Sequence, residues 1–508
     1  MTDDLERLAN GVLWPGFFGT EAPSWLLDAL RDGLAGVVYF GQNVGEGLPA
    51  LSAQIVAANP AALIGIDEEG GSVTRLEAST GSTLPGAAQL GLVDDPSATE
   101  AVGVELARRV RAAGGNVVLG PVADVNTDPR NPVIGVRSFG SDEHLVSRHA
   151  VAEITGMQRS GVAACVKHFP GHGDTHLDSH HSLPEITIDV EQFERVHLEP
   201  FRAAVAAGVR MIMTAHIVVP AWGPEPATLN PRILGVPREW GFEGVIVTDA
   251  LDMAAIRETV GIGAGAARAL AAGADLLCIG NPSNPGRETH PDQDRRDFLA
   301  ARDGIVAALR DGSLSRARVE EAARRVADLS QALRAGSPEA GVDESSEPAY
   351  SAHEVVRRAV RGVQADASAL AVLDARRRAS LAVDNAAAYV ARTLAGEGHI
   401  SRLDVSRVPA AERDAVLDQV IAADGLTVVL VDRPGVDDDQ RAVIERAADR
   451  DPDAVVVNVG LASHRPLALP VVEVGAASRI GAQVARESLS GAYAHRVGSS
   501  RGDAAPGV

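Results

Sequence analysis

Residues 164–184 read ACVKHFPGHGDTHLDSHHSLP, a short apolar run that ends in Lys167 and His168 and continues into a polar loop. The run Ala164–Phe169 predicts a buried strand, since it is short and apolar. The glycine and proline residues that follow exclude a regular helix and predict a long, shaped loop. A strand that carries polar residues to a loop at its carboxyl end is the repeating unit of parallel α/β folds.

Similar apolar runs recur on both sides of this segment. Together they predict eight strands: Val12–Phe18, Gly36–Phe40, Leu63–Asp67, Val117–Gly120, Ala164–Phe169, Met211–His216, Val245–Asp249 and Ala274–Ile279. Segments of helix-forming composition, such as Glu194–Ala207 and Gly265–Ala272, alternate with the strands. Eight such units over roughly 330 residues predict a (β/α)8 TIM barrel, with the carboxyl ends of its strands on one face. An open doubly wound sheet explains the count less well.

The rest of the chain predicts a second, smaller domain. Residues 337–350 are rich in proline, serine and glutamate and suit a linker. Apolar runs return at four places, with helical stretches such as Asp437–Ala448 among them: Ser380–Asp384, Leu426–Asp432, Ala454–Gly460 and Val471–Val474. The predicted α/β organisation is therefore a barrel over residues 1–336, an α/β sandwich over residues 351–498 and a disordered tail over residues 499–508.

Composition narrows the class of function. The 508 residues carry a formal net charge of -21, which disfavours a nucleic-acid partner because an acidic surface repels phosphates. The two cysteines, Cys165 and Cys278, lie in apolar runs and offer neither a disulfide framework nor zinc spacing. The first residues carry acids rather than a secretory signal, and no run is long enough to insert into a membrane. These features predict a soluble, cytoplasmic protein.

Lys167 is the single lysine among the 47 basic residues of the chain. Codon bias that happened to spare one lysine is the plain interpretation. The alternative is that this position requires a compact ammonium group rather than the broad planar guanidinium of arginine. The second interpretation is favoured because the lysine lies in the most chemically distinctive segment of the sequence.

The loop after that lysine contains four more of the fourteen histidines, following His168. Three interpretations compete: a merely solvated loop, a metal site, and an acid/base site. Histidines can bind metal, but their spacing here matches none of the familiar helical pairs. In an extended loop, Asp178 and His180 can face the same side, so that the carboxylate orients the imidazole towards a substrate.

Other predicted strands also end in polar residues. Asp67 precedes the Gly70–Gly71 turn and Arg75, a pattern that suits sugar hydroxyls and equally suits a surface turn. Arg137 is the best binding candidate in the long loop over residues 120–140. Asp249 ends a predicted strand within GVIVTDALDM, where a carboxylate can attack an anomeric carbon. Asp252, three residues later, better fits the capping of a helix.

Taken together, IDEEGG, NPVIGVRSFG, KHFPGHGDTHLDSH, MTAHI and VTDALDM resemble the motifs of family 3 glycoside hydrolases. More narrowly, they resemble the bacterial β-N-acetylglucosaminidase (β-hexosaminidase) branch. The resemblance covers residues 10–335, and the histidine-rich string is its most specific part. It supports the barrel and implies a retaining glycosidase that needs no cofactor or metal.

The resemblance also implies roles for individual residues. Asp249 would be the nucleophile, and His180, paired with Asp178, the general acid/base. The residues implied to bind N-acetylglucosamine are Asp67, Arg75, Arg137, Lys167 and His168. The implied substrates are small N-acetylglucosaminides, including muropeptide fragments from peptidoglycan recycling.

Three alternatives remain at the level of sequence. The same residues could perform phosphorolysis, because a neutral imidazole repels incoming phosphate less than a carboxylate does. The chain could be a non-catalytic sugar sensor, although the presence of Asp249, Asp178 and His180 together disfavours this. A metal-dependent hydrolase is the third alternative.

Overall fold

Eight short parallel strands form in the first part of the chain, close to the predicted runs. The computed structural model describes residues 4–175, 183–186, 188–284, 290–336, 351–377, 387–405 and 407–491. The strands are β1 (Leu13–Pro15), β2 (Gly36–Tyr39), β3 (Leu63–Ile66), β4 (Val117–Val118), β5 (Ala163–Phe169), β6 (Met211–Thr214), β7 (Val245–Val247) and β8 (Leu277–Gly280). Strands β2 to β7 pair in consecutive order, β8 pairs with β1, and a parallel bridge from Val247 to Leu276 links β7 towards β8. The predicted (β/α)8 barrel is confirmed.

Helices alternate with these strands. They are α1 (Asp4–Asn10), α2 (Ser24–Arg31), α3 (Leu48–Ala58), α4 (Ala87–Val93), α5 (Pro96–Ala112), α6 (Glu143–Arg159), α7 (Val190–Val196), α8 (Glu199–Ala206), α9 (Pro231–Glu239), α10 (Ala254–Arg257), α11 (Ile262–Ala272), α12 (Gln293–Asp311) and α13 (Arg316–Ala335). The helix-forming segment Glu194–Ala207 contains parts of two helices, since α7 ends at Val196 and α8 begins at Glu199. Pro200 lies in the first turn of α8, where a missing backbone N–H is tolerated.

The barrel interior is apolar. Trp14 is fully buried among side chains from several strands, and its indole Nε1 donates to the carbonyl of Leu63 at 2.9 Å. Cys165 and Cys278 are free thiols in the same core, as their apolar surroundings in the sequence suggest. Burial of this apolar lining supplies the main favourable contribution to folding and leaves the strand ends to carry polar groups.

The described residues form two units. The first contains residues 4–69, 73–78 and 94–336, and the second contains residues 70–72, 79–93 and 351–491. The second unit therefore includes α4 and a three-residue turn from the early part of the chain. The predicted linker over residues 337–350 lies outside the described residues.

A six-stranded sheet forms the centre of the second unit. Its strands are β9 (Arg361–Gly362), β10 (Leu370–Asp374), β11 (Ile400–Arg402), β12 (Leu426–Val431), β13 (Val455–Asn458) and β14 (Val471–Glu473), in the order β11-β10-β12-β13-β14-β9. Only β9 pairs in the antiparallel direction. Beside α4, the helices of this unit are α14 (Ala352–Ala359), α15 (Ala388–Ala395), α16 (Ala410–Ile421), α17 (Asp438–Arg450) and α18 (Arg479–Leu489). Apolar clusters cover both faces, which confirms the α/β sandwich.

Three strands of this sheet, β9, β10 and β11, were not predicted, and β9 is only two residues long. Strand β10 has the helix-favouring sequence LAVLD, and burial on both faces makes it a strand. Strand β11 reads ISR and is partly exposed, so it lacks an apolar run. The predicted run Ser380–Asp384 lies outside the described residues. None of the described helices has the length and apolar character required to cross a membrane.

Candidate active site

Polar side chains occur at the carboxyl ends of several barrel strands. Asp67 follows β3 directly, Lys167 and His168 lie near the end of β5, and Asp249 lies two residues beyond β7. Because parallel barrel strands all point the same way, their carboxyl ends meet at one face. The positions that the sequence singled out therefore come to the same end of the barrel.

Asp67 binds two cations with its two carboxylate oxygens. Lys167 Nζ donates to Oδ1 at 2.6 Å, and Arg75 Nη2 donates to Oδ2 at 2.7 Å. Lys167 is buried, with 3% of its side chain exposed, so its ammonium group has little contact with water. The aspartate is thereby oriented by ion pairs from both sides, which is how a binding group is held rigidly.

Glu69 is a second carboxylate in this cluster, and the sequence interpretation missed it. Its Oε1 lies 2.6 Å from Lys167 Nζ. Arg137 donates to it through two atoms, Nε to Oε2 at 2.9 Å and Nη2 to Oε1 at 2.7 Å. A signal was available, because residues two apart in an extended chain point to the same side, which pairs Glu69 with Asp67.

The charges in this cluster determine its protonation. Burial would raise the pKa of Asp67, but the nearby charges of Lys167, Arg75 and Arg137 hold that pKa well below its usual range. Burial opposes ionisation of Glu69 in the same way, and Arg137 and Lys167 lower its pKa. The two carboxylates in turn raise the pKa of Lys167 despite its burial. At neutral pH the cluster is fully ionised.

His168 is oriented by Asp124, another residue that the sequence interpretation missed. His168 Nδ1 and Asp124 Oδ2 are 2.7 Å apart, and Asp124 is completely buried. Arg137 Nη2 lies 3.5 Å from His168 Nε2 and can only donate. The Asp124 carboxylate accepts the hydrogen bond from Nδ1, and this bond fixes the orientation of the imidazole ring. Asp124 sits in the apolar context GPVADV, and only the fold reveals its partner.

The backbone at the beginning of the histidine-rich loop is hydrogen-bonded to the same aspartate, Asp124. Asp124 Oδ1 accepts a hydrogen bond from the backbone N–H of His172 at 2.7 Å, and Asn131 Nδ2 donates to the carbonyl of His172 at 2.8 Å. A side chain at Gly173 would lie 1.9 Å from the carbonyl oxygen of Val125, so the two backbones are in close contact. Burial above all lowers the pKa of His172 to about 4, which keeps this imidazole neutral.

The acid/base candidates Asp178 and His180 lie outside the described residues, which stop at Thr175 and resume at Leu183. Their placement is therefore a prediction from sequence. Within the described ranges, no group of three or more histidine, cysteine, aspartate or glutamate side chains is arranged to hold a metal ion.

Asp249 lies on a turn that neighbouring strands hold in place. Its Oδ1 accepts from the backbone N–H of Ala250 at 2.7 Å, and its own N–H donates to Thr214 Oγ1 at 3.4 Å. His216, which follows β6, places Nε2 2.9 Å from the carbonyl oxygen of Ala250. The side chain of Asp249 is partly exposed at the end of the barrel, where a substrate can reach it.

The charge of Asp249 acts on the pKa values of two nearby residues, Cys165 and His172. Burial raises the pKa of the Cys165 thiol, Lys167 acts to lower it, and Asp249 acts to raise it. The charge of Asp249 likewise raises the pKa of His172, against the larger effect of burial. Since charges act strongly only over short distances, Asp249 lies within range of Cys165 in strand β5 and of His172 in the loop that follows it.

The interpretation of Asp252 as a helix cap is wrong. Helix α10 is capped by Met253, without a side-chain hydrogen bond. The Asp252 carboxyl is instead buried and accepts from Asn284 Nδ2 at 2.8 Å. Burial raises its pKa well above the usual value, which favours the neutral acid. Gly280 makes room for it, because a side chain there would lie 1.9 Å from Asp252 Oδ1.

Comparisons with known proteins identify the family of this chain. The family model described as "Glycosyl hydrolase family 3 N terminal domain" matches residues 24–329. A Beta-hexosaminidase of Stenotrophomonas maltophilia (strain R551-3) is 36% identical over 311 residues, which are 58% of this chain and 91% of that protein. Beta-hexosaminidase A of Pseudoalteromonas piscicida is 34% identical over 255 residues, which are 45% of this chain and 42% of that protein.

A solved structure is similar over nearly the whole length of both chains. It is a glycoside hydrolase family 3 beta-N-acetylglucosaminidase from Paenibacillus sp. str. FPU-7, with a TM-score of 0.79 and 29% sequence identity. The match covers 96% of this chain and 97% of that one. It therefore extends over the sandwich as well as the barrel.

Proposed function

This chain belongs to glycosyl hydrolase family 3, and from that membership we propose that it is a retaining β-N-acetylhexosaminidase. It removes terminal non-reducing β-linked N-acetylglucosamine. The observation that carries the proposal is the position of Asp249, partly exposed just beyond β7 and near enough to Cys165 and His172 for its charge to act on their pKa values. The relatives named above are hexosaminidases, which supports the choice of sugar.

The proposed reaction is a double displacement. Asp249 attacks the anomeric carbon and forms a glycosyl ester while the bond to the leaving oxygen breaks. His180, paired with Asp178, donates a proton to that oxygen. The same imidazole then removes a proton from water, which attacks the anomeric carbon and releases Asp249. The sugar leaves with the configuration it had at the start.

The cluster around Asp67 is proposed to bind the sugar. Each carboxylate oxygen of Asp67 accepts from one cation and has a second lone pair, and Arg75, Arg137 and Lys167 have further N–H donors. Donors and acceptors held in place before binding do not have to be ordered when the sugar arrives, which improves both affinity and rate. His168, oriented by Asp124, adds an aromatic ring beside them.

The biological setting is part of the same proposal. A small carbohydrate such as a muropeptide fragment is the proposed substrate, in cytoplasmic peptidoglycan recycling and without a nucleic-acid partner. No observation in the described residues favours phosphate over water as the acceptor, and the names of the relatives favour hydrolysis. Phosphorolysis is therefore an outcome to test rather than a second proposal.

The experiment compares the wild type with Asp249→Ala on 4-nitrophenyl β-N-acetylglucosaminide, with and without phosphate. Asp303→Ala, an exposed acid on α12, is the matched control. We expect Asp249→Ala to lose activity roughly a thousandfold or more while its thermal unfolding is unchanged. Azide added to this variant should restore turnover and form the α-glycosyl azide.

Two results would contradict the proposal. One is a loss of only a few-fold in Asp249→Ala, which would exclude this residue as the nucleophile. The other is formation of sugar 1-phosphate by the wild type in phosphate buffer. The configuration of the first product, followed by NMR before mutarotation, separately tests retention.

A further inference from the structure

The turn that carries Asp249 continues beside the end of β8, within the barrel unit. The backbone N–H groups of Leu251 and Asp252 donate to the carbonyls of Cys278 at 2.9 Å and Ile279 at 3.0 Å. These hydrogen bonds hold the chain to β8 directly after the proposed nucleophile. The path of the turn is therefore set by contacts that centre on Asp252 rather than on Asp249 itself.

The side chain of Asp252 connects the turn to the loop that follows β8. Its Oδ2 accepts a hydrogen bond from Asn284 Nδ2 at 2.8 Å, and 1% of the side chain is exposed. Its Oδ1 lies over Gly280, where an added Cβ would come within 1.9 Å and where φ is +114°. The carboxyl is thus enclosed between the turn and the loop, so neither can shift without displacing it.

Arg257 makes a second connection, from the backbone of Asp252 to α12. Its Nε donates to the carbonyl of Asp252 at 2.9 Å, and its Nη2 donates to Asp297 Oδ2 at 2.9 Å. Asp297 Oδ1 in turn accepts from Gln293 Nε2 at 2.7 Å, one turn earlier on the same helix. Asp252 is therefore held through its carboxyl by the loop after β8 and through its carbonyl by α12.

The surroundings of Asp252 favour the neutral acid. Burial raises its pKa most; Arg257, 4.0 Å from Oδ2, and the bond from Asn284 lower the pKa, and the charges of Asp297 and Asp249 raise it further. Among the described residues no donor reaches Oδ1, so an ionised carboxyl would leave buried charge without a partner. As a neutral group, Asp252 connects turn and loop without adding a second negative charge beside Asp249.

We propose that Asp252 is a positioning residue for the nucleophile, joining the turn that bears Asp249 to the loop after β8, an inference that rests on the proposed function. A shift at Asp252 passes to Asp249 through the backbone of one short turn. Displacing an attacking atom by about 1 Å can lower the rate roughly a hundredfold. The loss should fall on the chemical step, because the binding candidates Asp67 and Lys167 lie on other strands.

The experiment removes the side-chain connection from either end. Asp252→Ala deletes the acceptor, Asn284→Ala deletes the donor, and Asp252→Asn keeps an oxygen for Asn284 and is neutral at every pH. The backbone bonds to β8 remain in all three variants, which should therefore fold. Asp311→Ala and Asp311→Asn are the matched controls: Asp311 also accepts an N–H across a turn, from Ser313 at 2.9 Å. It lies roughly 20 Å from Asp297 along α12.

Each variant is measured by kcat and KM on the chromogenic glycoside, by stopped-flow release of 4-nitrophenol, which reports the first displacement, and by hydrogen exchange of peptides covering residues 245–257. For Asp252→Ala we expect kcat and the first displacement to fall roughly ten- to a hundredfold, with KM within about twofold of the wild type. Exchange in those peptides should be faster. Asn284→Ala should show a smaller loss of the same kind. Asp252→Asn and both controls should stay within about threefold of the wild-type kcat.

A wild-type kcat in Asp252→Ala would overturn the inference, and so would a loss confined to KM, which would assign Asp252 to substrate binding. An equal loss in Asp252→Asn and Asp252→Ala would also overturn it, because the amide retains the hydrogen bond. If Asp252→Ala does not fold, Asn284→Ala carries the same test. A wild type that turns over no N-acetylglucosaminide would refute the proposed function, whereas exchange over residues 245–257 would still decide whether Asp252 holds the turn.

Discussion

Glu153 provides the sharpest test of the electrostatics behind the site. It lies on α6, with 4% of its surface exposed, where this helix packs on α5 through Gly103 and Gly156. Burial, and then the charge of Glu69, raise its pKa from 4.5 to about 8. A buried carboxyl beside the ionised cluster should therefore remain protonated at neutral pH.

The sign of the effect follows from proton binding. Between pH 4.5 and 8 the folded protein holds a proton on Glu153 that the unfolded chain has released, so stability falls as pH rises. The stabilising contribution of Glu153 is fully present below pH 4.5 and is lost progressively as the pH rises to the folded pKa of about 8. Each pH unit in this window lowers the free energy of unfolding by about 1.4 kcal/mol. By pH 7 the loss is on the order of 3 kcal/mol.

Glu153→Gln removes this dependence, because glutamine has nearly the same shape and no charge at any pH. The variant should match the wild type near pH 4.5 and exceed it by on the order of 3 kcal/mol at pH 7. All four tryptophans lie in the first unit, so denaturant unfolding followed by tryptophan fluorescence reports on the right part of the chain. Glu320→Gln, at a half-exposed pair on α13, is the control.

Parallel stability curves for Glu153→Gln and the wild type from pH 4.5 to 8 would refute the reasoning. They would mean that Glu153 ionises normally in the folded protein. The buried carboxyl would then need a cationic or hydrogen-bonding partner strong enough to offset its desolvation.

Two further predictions concern the site directly. Lys167→Arg should raise KM at least about tenfold. The reason is that a planar guanidinium cannot replace an ammonium that lies 2.6 Å from both Asp67 Oδ1 and Glu69 Oε1. An unchanged KM would show that the single lysine is incidental. His180→Ala should lower kcat/KM about a hundredfold for natural glycosides but much less for a nitrophenyl leaving group, which departs with little proton assistance. Equal losses on the two substrates would contradict the role of His180 as general acid.

The sequence predicted the barrel well because each strand is a short buried run bounded by turns. Strands such as Gly36–Tyr39 and Val245–Val247 are apolar on both faces, so they are stable only where both faces are buried. The sandwich was harder, since Leu370–Asp374 has the composition of a helix and becomes a strand only because neighbours cover both of its faces. Helix and strand propensities alone cannot predict that neighbouring segments bury both faces of this strand.

The residues of the candidate site likewise include some that the sequence predicted and some that it did not. Lys167 and Asp67 were evident, one as a unique residue type and the other as a strand end. Asp124 was not, because its role depends on a partner 44 residues away in the chain. The sequence predicted only a tight turn at Gly70–Gly71, because the hydrogen bond from the Ala477 N–H to Ser72 Oγ joins residues that lie 405 apart in the chain. Contacts of this range are made by the fold and leave no local pattern.

The three consecutive acids Asp67, Glu68 and Glu69 show how the fold separates residues that look alike in sequence. In an extended segment, alternate side chains point to opposite sides, so the first and third meet Lys167 and the second cannot. Glu68 instead accepts backbone N–H groups of the returning chain at Arg75, and burial raises its pKa to about 7. Two of the acids are therefore ionised groups paired with cations in the candidate site, while the third accepts hydrogen bonds from the backbone. That division follows from the alternation of side chains, and it allows one short segment both to form the ion-pair cluster of the candidate site and to hold its own turn in place.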